Sequence, residues 1–306
     1  MSDPSASESW DMSGGPTTAV VACAPGKTNG ALVEAWRALG VRARLLSPSA
    51  AAATLEITDT ALVRLDVLQT LDGIEPGLDS VRELEARGVR VLNTSTALTR
   101  AHDKLESLQA LEAAGIPVPA WVHLTGPDVA PTVDLPLVVK PRFGSWGLDV
   151  TRCETRSELD LCLKWARGRV WFQRHGAIIE QYIPSGGVDR RVLVAAGGVV
   201  GAIERVAASG EWRTNISLGG SKHTAPSAPE ADELAVAAAT ACGADFVGVD
   251  LALSGQRWLV MELNGAVDFD DTYSLEDRDV FAEIALALGV LTPNPSARTL
   301  EAADRP

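Results

Sequence analysis

Three oxygen-bearing side chains fall close together in a predicted β-hairpin near the C-terminus, where they could bind a metal ion. Glu262 and Asn264 are two residues apart, and residues at this spacing face the same side of a strand. If the hairpin turns at Gly255-Gln256-Arg257, Asp250 lies directly opposite Glu262. Two carboxylates held this close repel each other unless a cation lies between them. Oxygen ligands suit Mg²⁺, so the sequence predicts a magnesium site here, against the alternative of two exposed strand residues.

A second candidate binding element is the segment 137–150, LVVKPRFGSWGLDV. An apolar run ends at Lys140, and a loop with Gly144 and Gly147 follows. Bare backbone amides and one ammonium group suit a polyphosphate, although an ordinary turn with a solvated lysine has the same pattern. We expect both glycines to adopt positive φ and to allow close approach of a phosphate.

Three arginines could stabilise a phosphate-like transition state: Arg191, Arg205 and Arg213. The run 188–207 has the pattern of a hairpin around Gly197-Gly198. A three-residue turn at 196–198 would pair Asp189 with Arg205 and place both on the face of Arg191. A two-residue turn would split them, and the sequence leaves both registers open.

Two further polar stretches carry weaker signals. The stretch APGKTNG, residues 24–30, lacks the glycine that a phosphate-binding P-loop needs five residues before Gly26, because Val21 stands there. Lys27 is therefore predicted to be a solvated loop residue. His102, Asp103 and Lys104 are predicted to lie in the middle of a helix, on its polar face.

The elements that must position these side chains follow from periodicity. Strands are predicted at 18–24, 41–47, 61–67 and 89–93, with helices at 29–40 and 80–88, the first capped by Asn29 and ended by Gly40. This alternation indicates a parallel sheet covered on both faces. A helix over 94–119 follows, capped by Thr96 and stopped by Gly115 and Pro117. Further on we expect strands at 135–141 and 177–183, helices at 157–166, 228–243 and 278–289, and the two hairpins.

Bulk properties exclude several classes of protein. The chain has 306 residues, is 46% hydrophobic and 22% charged, and carries a net charge of −13. This charge argues against a nucleic acid or an anionic membrane as a partner. No apolar run approaches the ~20 residues of a membrane span. The four cysteines form no CxxC pair and no signal peptide is visible, so we expect a reducing cytoplasm.

The motifs described above occur in the order seen in ATP-grasp ligases. The chain resembles the RimK-type and LysX-type carboxylate–amine ligases over about residues 18–290. The most specific parts are VVKPRFGSWG and VDLAL…VMELNG, supported by HDK, IIEQYI, DRR, ER and WRTN.

The resemblance implies an α/β ATP-grasp fold with α+β lobes and a Rossmann-like preATP-grasp domain at the N-terminus. The expected organisation is a disordered tail at 1–17, the preATP-grasp domain at 18–96, a central lobe with a glycine-rich lid loop at 97–185, a C-terminal lobe with the metal site at 186–295, and a tail at 296–306.

The resemblance also implies residue roles. Those expected to bind ATP are Lys104, Lys140, Gly144, Ser145, Trp146 and Gly147 at the phosphates, Glu180, Gln181, Tyr182 and Ile183 at the adenine, and Asp189 near the ribose. Those expected to act on the transferred phosphoryl group are Arg191, Arg205, Arg213 and Asn215. Asp250, Glu262 and Asn264 would bind two Mg²⁺, with Mn²⁺ as an alternative, and the substrate would lie near Gly219, Gly220 and Asp268.

The implied activity is ATP-dependent formation of an amide through an acylphosphate. An amino acid would be joined to a carboxylate of a small molecule, a peptide or a carrier protein, by a homo-oligomer, dimer or tetramer. Two departures from the RimK pattern put glutamate in question as the added amino acid. Asn264 is followed by Gly-Ala-Val, then Asp268 and Phe269, instead of Ser-Pro-Gly, and Leu218 stands where a basic residue is common.

Three other functions remain open at this point. An ATP-grasp kinase would transfer phosphate to a hydroxyl group and form no amide. A catalytically inactive nucleotide-binding or scaffold protein would bind ATP without turnover. The complete set of candidate metal and phosphate ligands argues against this alternative. A Rossmann-type dehydrogenase is disfavoured because no GxGxxG follows the first strand.

Overall fold

The computed structural model describes residues 15–126 and 133–291. The predicted tail at 296–306, and all but residues 15–17 of the tail predicted at 1–17, lie outside this range. Within it no helix is both long enough and apolar enough to cross a membrane.

The first sheet is parallel, as the sequence predicts. Its strands are β1 (Thr18–Val21), β2 (Ala43–Leu46), β3 (Thr60–Val63) and β4 (Arg90–Leu92), in the order β2-β1-β3-β4. Helices α1 (Lys27–Ala38), α2 (Pro48–Thr54) and α3 (Leu78–Ala86) lie around it. Val20 and Leu62 pack on the α1 side, while Val21 and Val63 pack with α2 and α3, because successive strand residues face opposite sides.

Two details of this region differ from the prediction. Helix α1 begins at Lys27 after Gly26, so Asn29 lies inside the helix and does not cap it. Its side-chain oxygen instead accepts a hydrogen bond from Nε of Arg64 at 2.6 Å. Helix α2 was not predicted; Ser47 caps it by accepting a hydrogen bond from the amide of Ala50.

The helix predicted over 94–119 is two helices, α4 (Ser95–His102) and α5 (Lys104–Ala113). The break falls at Asp103, whose carboxylate accepts hydrogen bonds from the amides of Leu105 and Glu106 and caps α5. The cap of α4 is Thr94 and not Thr96. His102, Asp103 and Lys104 are therefore at a helix junction, where all three are buried.

The second sheet is antiparallel and contains β5 (Trp121–Leu124), β6 (Leu137–Pro141), β7 (Thr151–Cys153) and β8 (Ala177–Gln181), in the order β5-β8-β6-β7. Helices α6 (Arg156–Ala166) and α7 (Val170–His175) pack on it. The sequence did not predict β5, β7 or α7. Strand β8 is an interior strand, so neighbouring strands flank it on both sides up to Gln181.

The third sheet is antiparallel and contains β9 (Val188–Ala195), β10 (Gly198–Val206), β11 (Ser221–Thr224), β12 (Phe246–Ser254) and β13 (Arg257–Asn264). The order is β11-β10-β9-β12-β13. Helix α8 (Pro229–Cys242) covers one face through its alanines. Helix α9 (Val280–Ala287) packs beside α1, where Trp36 donates a hydrogen bond to the carbonyl of Phe281 at 3.0 Å.

Both hairpins of this sheet combine a two-residue turn with a β-bulge. The first turns at Ala196-Gly197 and the second at Gly255-Gln256, and neither has the three-residue turn considered above. The registers then shift by one residue at Val200 and at Met261. A bulge adds one residue to one strand, so it restores the alignment that a three-residue turn would have given.

The restored registers place the polar residues as the functional hypothesis requires. Asp189 lies opposite Arg205, and Asp250 lies opposite both Glu262 and Arg191. Arg191 lies opposite Ile203 in the same register.

Candidate active site

A cleft of about 660 Å³ collects residues from all three sheets and their loops. Every residue that the sequence assigned to the site lines this cleft, except Gly219 and Gly220. Gly220 packs on the backbone, since an added Cβ would lie 2.7 Å from the carbonyl oxygen of Thr214. Gly219 adopts φ 89° at the end of a short 3₁₀ turn. Backbone geometry therefore accounts for glycine at both positions, and no substrate contact is needed to explain it.

Two buried lysines face the cleft from different elements. Lys104, the first residue of α5, lies with Nζ 2.9 Å from Oε1 of Glu262 and 2.8 Å from the carbonyl oxygen of Gly144. Lys140 on β6 lies with Nζ 2.7 Å from Oε2 of Glu180 on β8. Each ammonium group thus forms an ion pair with a carboxylate on a different element.

Two arginines form a network with two aspartates on the third sheet. Arg191 donates to Asp250 through Nε at 2.5 Å and Nη2 at 2.7 Å. Arg205 donates to Asp189 in the same forked manner, and its Nη2 also lies 2.8 Å from Oδ2 of Asp250. Burial by itself would raise the pKa of Asp250, but the two guanidinium groups outweigh it and hold the pKa at about 2.

The three predicted metal ligands lie together, but each carboxylate has its own cation. Asp250 pairs with two arginines and Glu262 with Lys104, so they do not repel each other unscreened, as the sequence argument assumed. Among the described residues there is no group of three or more acidic, histidine or cysteine side chains that could hold a metal. The set still fits a hard cation, because two carboxylates and one amide present oxygen atoms as ligands.

The glycine-rich loop, residues 142–149, is tied to the segment that follows β10. Gly147 has φ 70°, and an added Cβ would lie 2.8 Å from Oδ1 of Asn215. Arg213 donates from Nη1 to the carbonyl of Gly147 at 2.9 Å. Its Nε and Nη2 donate to the carboxylate of Glu211. Positive φ occurs at Gly147, as predicted, but not at Gly144, which stays in ordinary backbone space; Trp146 and Asp149 adopt it instead.

One end of the cleft has an apolar slot between two sheets. Val138 and Ile183 line it from the second sheet, and Ala252 and Met261 from the third. The bulge at Met261 is what allows this residue to share the cleft with its neighbour Glu262, because consecutive strand residues otherwise face opposite sides.

An aromatic pair stands beside this slot. Tyr182 meets Trp212 edge-to-face at a centroid distance of 5.7 Å, and the guanidinium carbon of Arg152 lies 3.8 Å above the tyrosine ring. Sequence reasoning missed Trp212; its place in the WRTN motif beside Arg213 was the available signal.

The opposite end of the cleft contains residues that the sequence did not assign. The N-terminus of α1 reaches it with Gly26, Lys27 and Thr28. Lys27 is exposed, as predicted, yet it lines the cleft. The hydroxyl of Thr28 donates to Oδ1 of Asp268 at 2.7 Å. The available signal was the position of this stretch, since ligands bind at the carboxyl ends of parallel strands.

Two titratable groups at this end have shifted pKa values. Burial raises the pKa of Asp66 to about 6, with Glu75 and Asp268 adding to the shift. Burial lowers the pKa of His102 to about 4, and its Nε2 has no hydrogen-bond partner in the described residues. Both groups lie in the lining of the cleft. At neutral pH this end therefore holds a neutral imidazole beside carboxylates.

Comparison with known proteins identifies the family. Residues 101–288 match the RimK-like ATP-grasp domain. A probable alpha-L-glutamate ligase of Pseudomonas aeruginosa is 34% identical over 210 residues, 67% of this chain and 68% of the relative. A ribosomal protein bS6–L-glutamate ligase of Salmonella newport is 37% identical over 197 residues, 62% and 64% of the two chains.

Solved structures share the fold. A RimK domain ATP-grasp protein from Sphaerobacter thermophilus superposes with a TM-score of 0.63 at 20% identity, covering 89% of this chain and 99% of the other. D-alanine–D-alanine ligase from Bacillus anthracis, a complex with ATP, gives 0.64 at 17% identity, covering 95% and 100%. The predicted ATP-grasp fold and the predicted activity class are thereby confirmed. The chain belongs to the RimK-like ATP-grasp family of ATP-dependent carboxylate–amine ligases.

Proposed function

We propose that this ligase joins an amino acid, through its amine, to a carboxylate that is first activated as an acylphosphate in the cleft. The observation that carries the proposal is the set of four cations that face one cleft, each already held by a carboxylate: Lys104, Lys140, Arg191 and Arg205. Because these pairs fix their orientation before ATP binds, the four cations are positioned in advance to meet the charge of a triphosphate.

The nucleotide would lie with its adenine in the apolar slot and its phosphates toward the lysines. Val138, Ile183, Ala252 and Met261 offer flat apolar contact from two sheets. The backbone after β8 gives the polar edge, although the amide of Tyr182 already donates to the carbonyl of Pro136 at 3.0 Å. Asp189 would lie near the ribose.

Asp250, Glu262 and Asn264 would hold two Mg²⁺, with Mn²⁺ as an alternative, and bound metal would neutralise charge on the phosphates. For these residues to serve as ligands, Lys104 must release Glu262 to some degree. A phosphate arriving at Lys104 gives that ammonium group a new partner, so the exchange costs little.

The chemistry then needs positioning more than covalent help from the protein. A carboxylate oxygen attacks the γ-phosphorus of ATP, and the bond to the β–γ bridging oxygen breaks as ADP leaves. Arg191 and Arg205, with Arg213 and Asn215 beside the glycine-rich loop, would face the transferred group. The loop would exclude water, which would otherwise hydrolyse the acylphosphate.

The amine would enter at the end of the cleft that α1 closes. Its nitrogen attacks the acyl carbon, phosphate leaves, and the amine proton must pass to a base. Asp66, with a pKa of about 6, suits that role near neutral pH, and Asp268 would hold the ammonium form before reaction. Because relatives carry the name glutamate ligase, glutamate is the first amine to test, despite the departures at Leu218 and after Asn264.

We also propose the domain division 18–96, 97–185 and 186–295. The packing of α9 beside α1 supports close contact between the first and last of these units. The expectation of a dimer or tetramer stays a prediction, which sedimentation of the purified chain would measure.

The decisive experiment is phosphate release from MgATP in the presence of a panel of amino acids and dipeptides, with mass detection of products. We expect a product whose mass is the sum of two substrates less one water, with one ADP formed per amide. Phosphate on a hydroxyl group would instead identify a kinase. Tight ATP binding without turnover on any of the panel would support an inactive nucleotide-binding protein.

A further inference from the structure

One tyrosine at the cleft has no role in the function proposed above. Tyr273 ends a short 3₁₀ turn, Asp271–Tyr273, which follows β13 and is capped by Asp270. Its side chain is 3% exposed and lines the cleft. The ring packs on Phe269 at a centroid distance of 6.3 Å. The backbone of the turn lies against Gly201 of β10, where an added Cβ would be 2.8 Å from the carbonyl oxygen of Tyr273. Packing therefore fixes the position of the ring.

The phenol of Tyr273 meets the arginine–aspartate network of the third sheet. It forms a hydrogen bond with Arg191, and it lies within electrostatic range of Arg205 and Asp250. Burial raises the pKa of the phenol above its usual value, although the charges of the two arginines oppose the shift. The hydroxyl group therefore keeps its proton at neutral pH, and a neutral phenol can donate one hydrogen bond while it accepts another.

The hydrogen bond to Arg191 leaves the proton of the phenol without an acceptor. A guanidinium group can only donate, so the oxygen of Tyr273 must be the acceptor in this pair. In the part of the chain that the structure describes, no side chain or carbonyl group accepts the hydroxyl proton in return. The proton can therefore bond to a group that enters the cleft. Beside the guanidinium groups of Arg191 and Arg205, an anionic oxygen is the favoured acceptor.

We propose that Tyr273 donates a hydrogen bond from its hydroxyl group to an oxygen of the terminal phosphoryl group of ATP. The inference rests on the proposed function, in which Arg191 and Arg205 face the same group. The phenol adds a fixed dipole to these two cations at the place where negative charge must be stabilised. The proton stays on the phenol throughout, so Tyr273 is a binding group for the phosphoryl oxygen and not an acid or a base.

The test is calorimetric titration with ADP and with AMP-PNP, an ATP analogue that keeps the terminal phosphoryl group, each in the presence of Mg²⁺. We expect Tyr273→Phe to weaken binding of AMP-PNP roughly tenfold and to leave binding of ADP unchanged, because only AMP-PNP carries the acceptor. Phenylalanine keeps the ring and its packing. The matched control is Ser274→Ala, which removes a hydroxyl group from the next residue, outside the lining of the cleft. It should leave both affinities unchanged.

Three results would overturn the proposal: equal weakening for the two nucleotides, no weakening for either, or the same loss in Ser274→Ala. Thermal unfolding checks that each variant is folded. If Tyr273→Phe is not, 3-fluorotyrosine in place of both tyrosines makes the hydroxyl group a stronger donor. AMP-PNP should then bind more tightly relative to ADP, and an unchanged ratio would contradict the proposal. Absence of nucleotide binding by the unmodified chain would overturn the proposed function as well, so the two failures are distinguishable.

Discussion

The two ends of the cleft are built in different ways. At the end that we propose binds ATP, called the nucleotide end below, three of the four cations stand on strands and Lys104 begins α5, and each has a carboxylate partner within 3 Å. At the opposite end, which we propose admits the amine and call the amine end, the lining comes from three segments far apart in sequence: the start of α1, Asp66 after β3, and the loop around Asp268.

The two ends differ in how completely their polar and charged groups are paired within the protein itself. At the nucleotide end the four cations are all paired, and among the described residues Nδ2 of Asn264 is left there without a hydrogen-bond partner; at the amine end Nε2 of His102 and the nearby Nη1 of Arg64 have none. Buried polar atoms without partners are costly. On the assignment proposed above, ion pairs already orient the charged groups that would meet the nucleotide, whereas two buried polar groups near the proposed amine site still have an unpaired nitrogen.

The sharpest way to break this comparison is to remove one charge from the nucleotide end. We expect Glu262→Gln to lower the rate of amide formation by roughly 10²–10³-fold, because it removes a ligand for phosphate-bound metal. Stability should fall by no more than about 1 kcal/mol, since glutamine can still accept a hydrogen bond from Lys104. The measurements are turnover with saturating MgATP and thermal unfolding.

The control for that variant is Glu283→Gln. Glu283 pairs with Arg278 at 3.0 Å and is 25% exposed, against 2.9 Å and 29% for Glu262 with Lys104. It should leave turnover unchanged. A Glu262 variant that is unstable but fully active would contradict the metal assignment and most of the proposed mechanism.

The glycine-rich loop, which we propose closes over the nucleotide end, gives the next largest effect. Gly147→Val should lower turnover about tenfold to hundredfold, because valine is strained at φ 70° and its Cβ would lie 2.8 Å from Asn215. Gly210→Val is the control, since Gly210 has φ 80° and open space around it. Equal losses in the two variants would mean that backbone strain, and not the contact of the loop with Asn215, is what matters.

A smaller and selective effect is expected at the amine end. Asp268→Asn should raise the KM for the amine about tenfold and leave the KM for ATP unchanged, because only the ammonium group loses a charged partner. Thr28→Val, which removes the hydroxyl that orients Asp268, should shift the same constant less. The exposed Asp277→Asn serves as the control. An equal change in both KM values would remove Asp268 from amine selection.

The smallest effect concerns how the free energy of unfolding changes with pH. The folded pKa of Asp66 is raised to about 6 from an ordinary 3.8, so the folded state binds its proton more tightly and stability falls as pH rises through 6. We expect Asp66→Asn to raise the free energy of unfolding by roughly 1–2 kcal/mol at pH 8, and this gain should disappear below about pH 4. Thermal unfolding across this range measures it, and a gain that does not vary with pH would refute the shift.

The sequence predicts the nucleotide end well because its information is local. Alternating strands, the hairpin positions and the motif order place Lys140, Arg191, Asp250 and Glu262 without knowledge of the tertiary structure. It fails at Asp103, where a continuous leucine stripe hides a helix break that only the capping carboxylate and its ion pair with Arg142 reveal. It fails again for Asp66, because burial and the return of a distant loop determine its surroundings.

The two hairpins make a point about counting. In an antiparallel hairpin with a two-residue turn, facing residues are always an odd number of positions apart. Asp189 and Arg205, like Asp250 and Glu262, are an even number apart and yet face each other, because each hairpin carries one additional residue, Val200 or Met261. What matters for the site is therefore whether the number of residues between facing positions is odd or even. Deleting either bulge residue would shift one strand by a single position and turn a whole row of polar side chains away from the cleft. Lengthening the turn by one residue at the same time would restore the row, but in the second hairpin it would not return Met261 to the apolar slot.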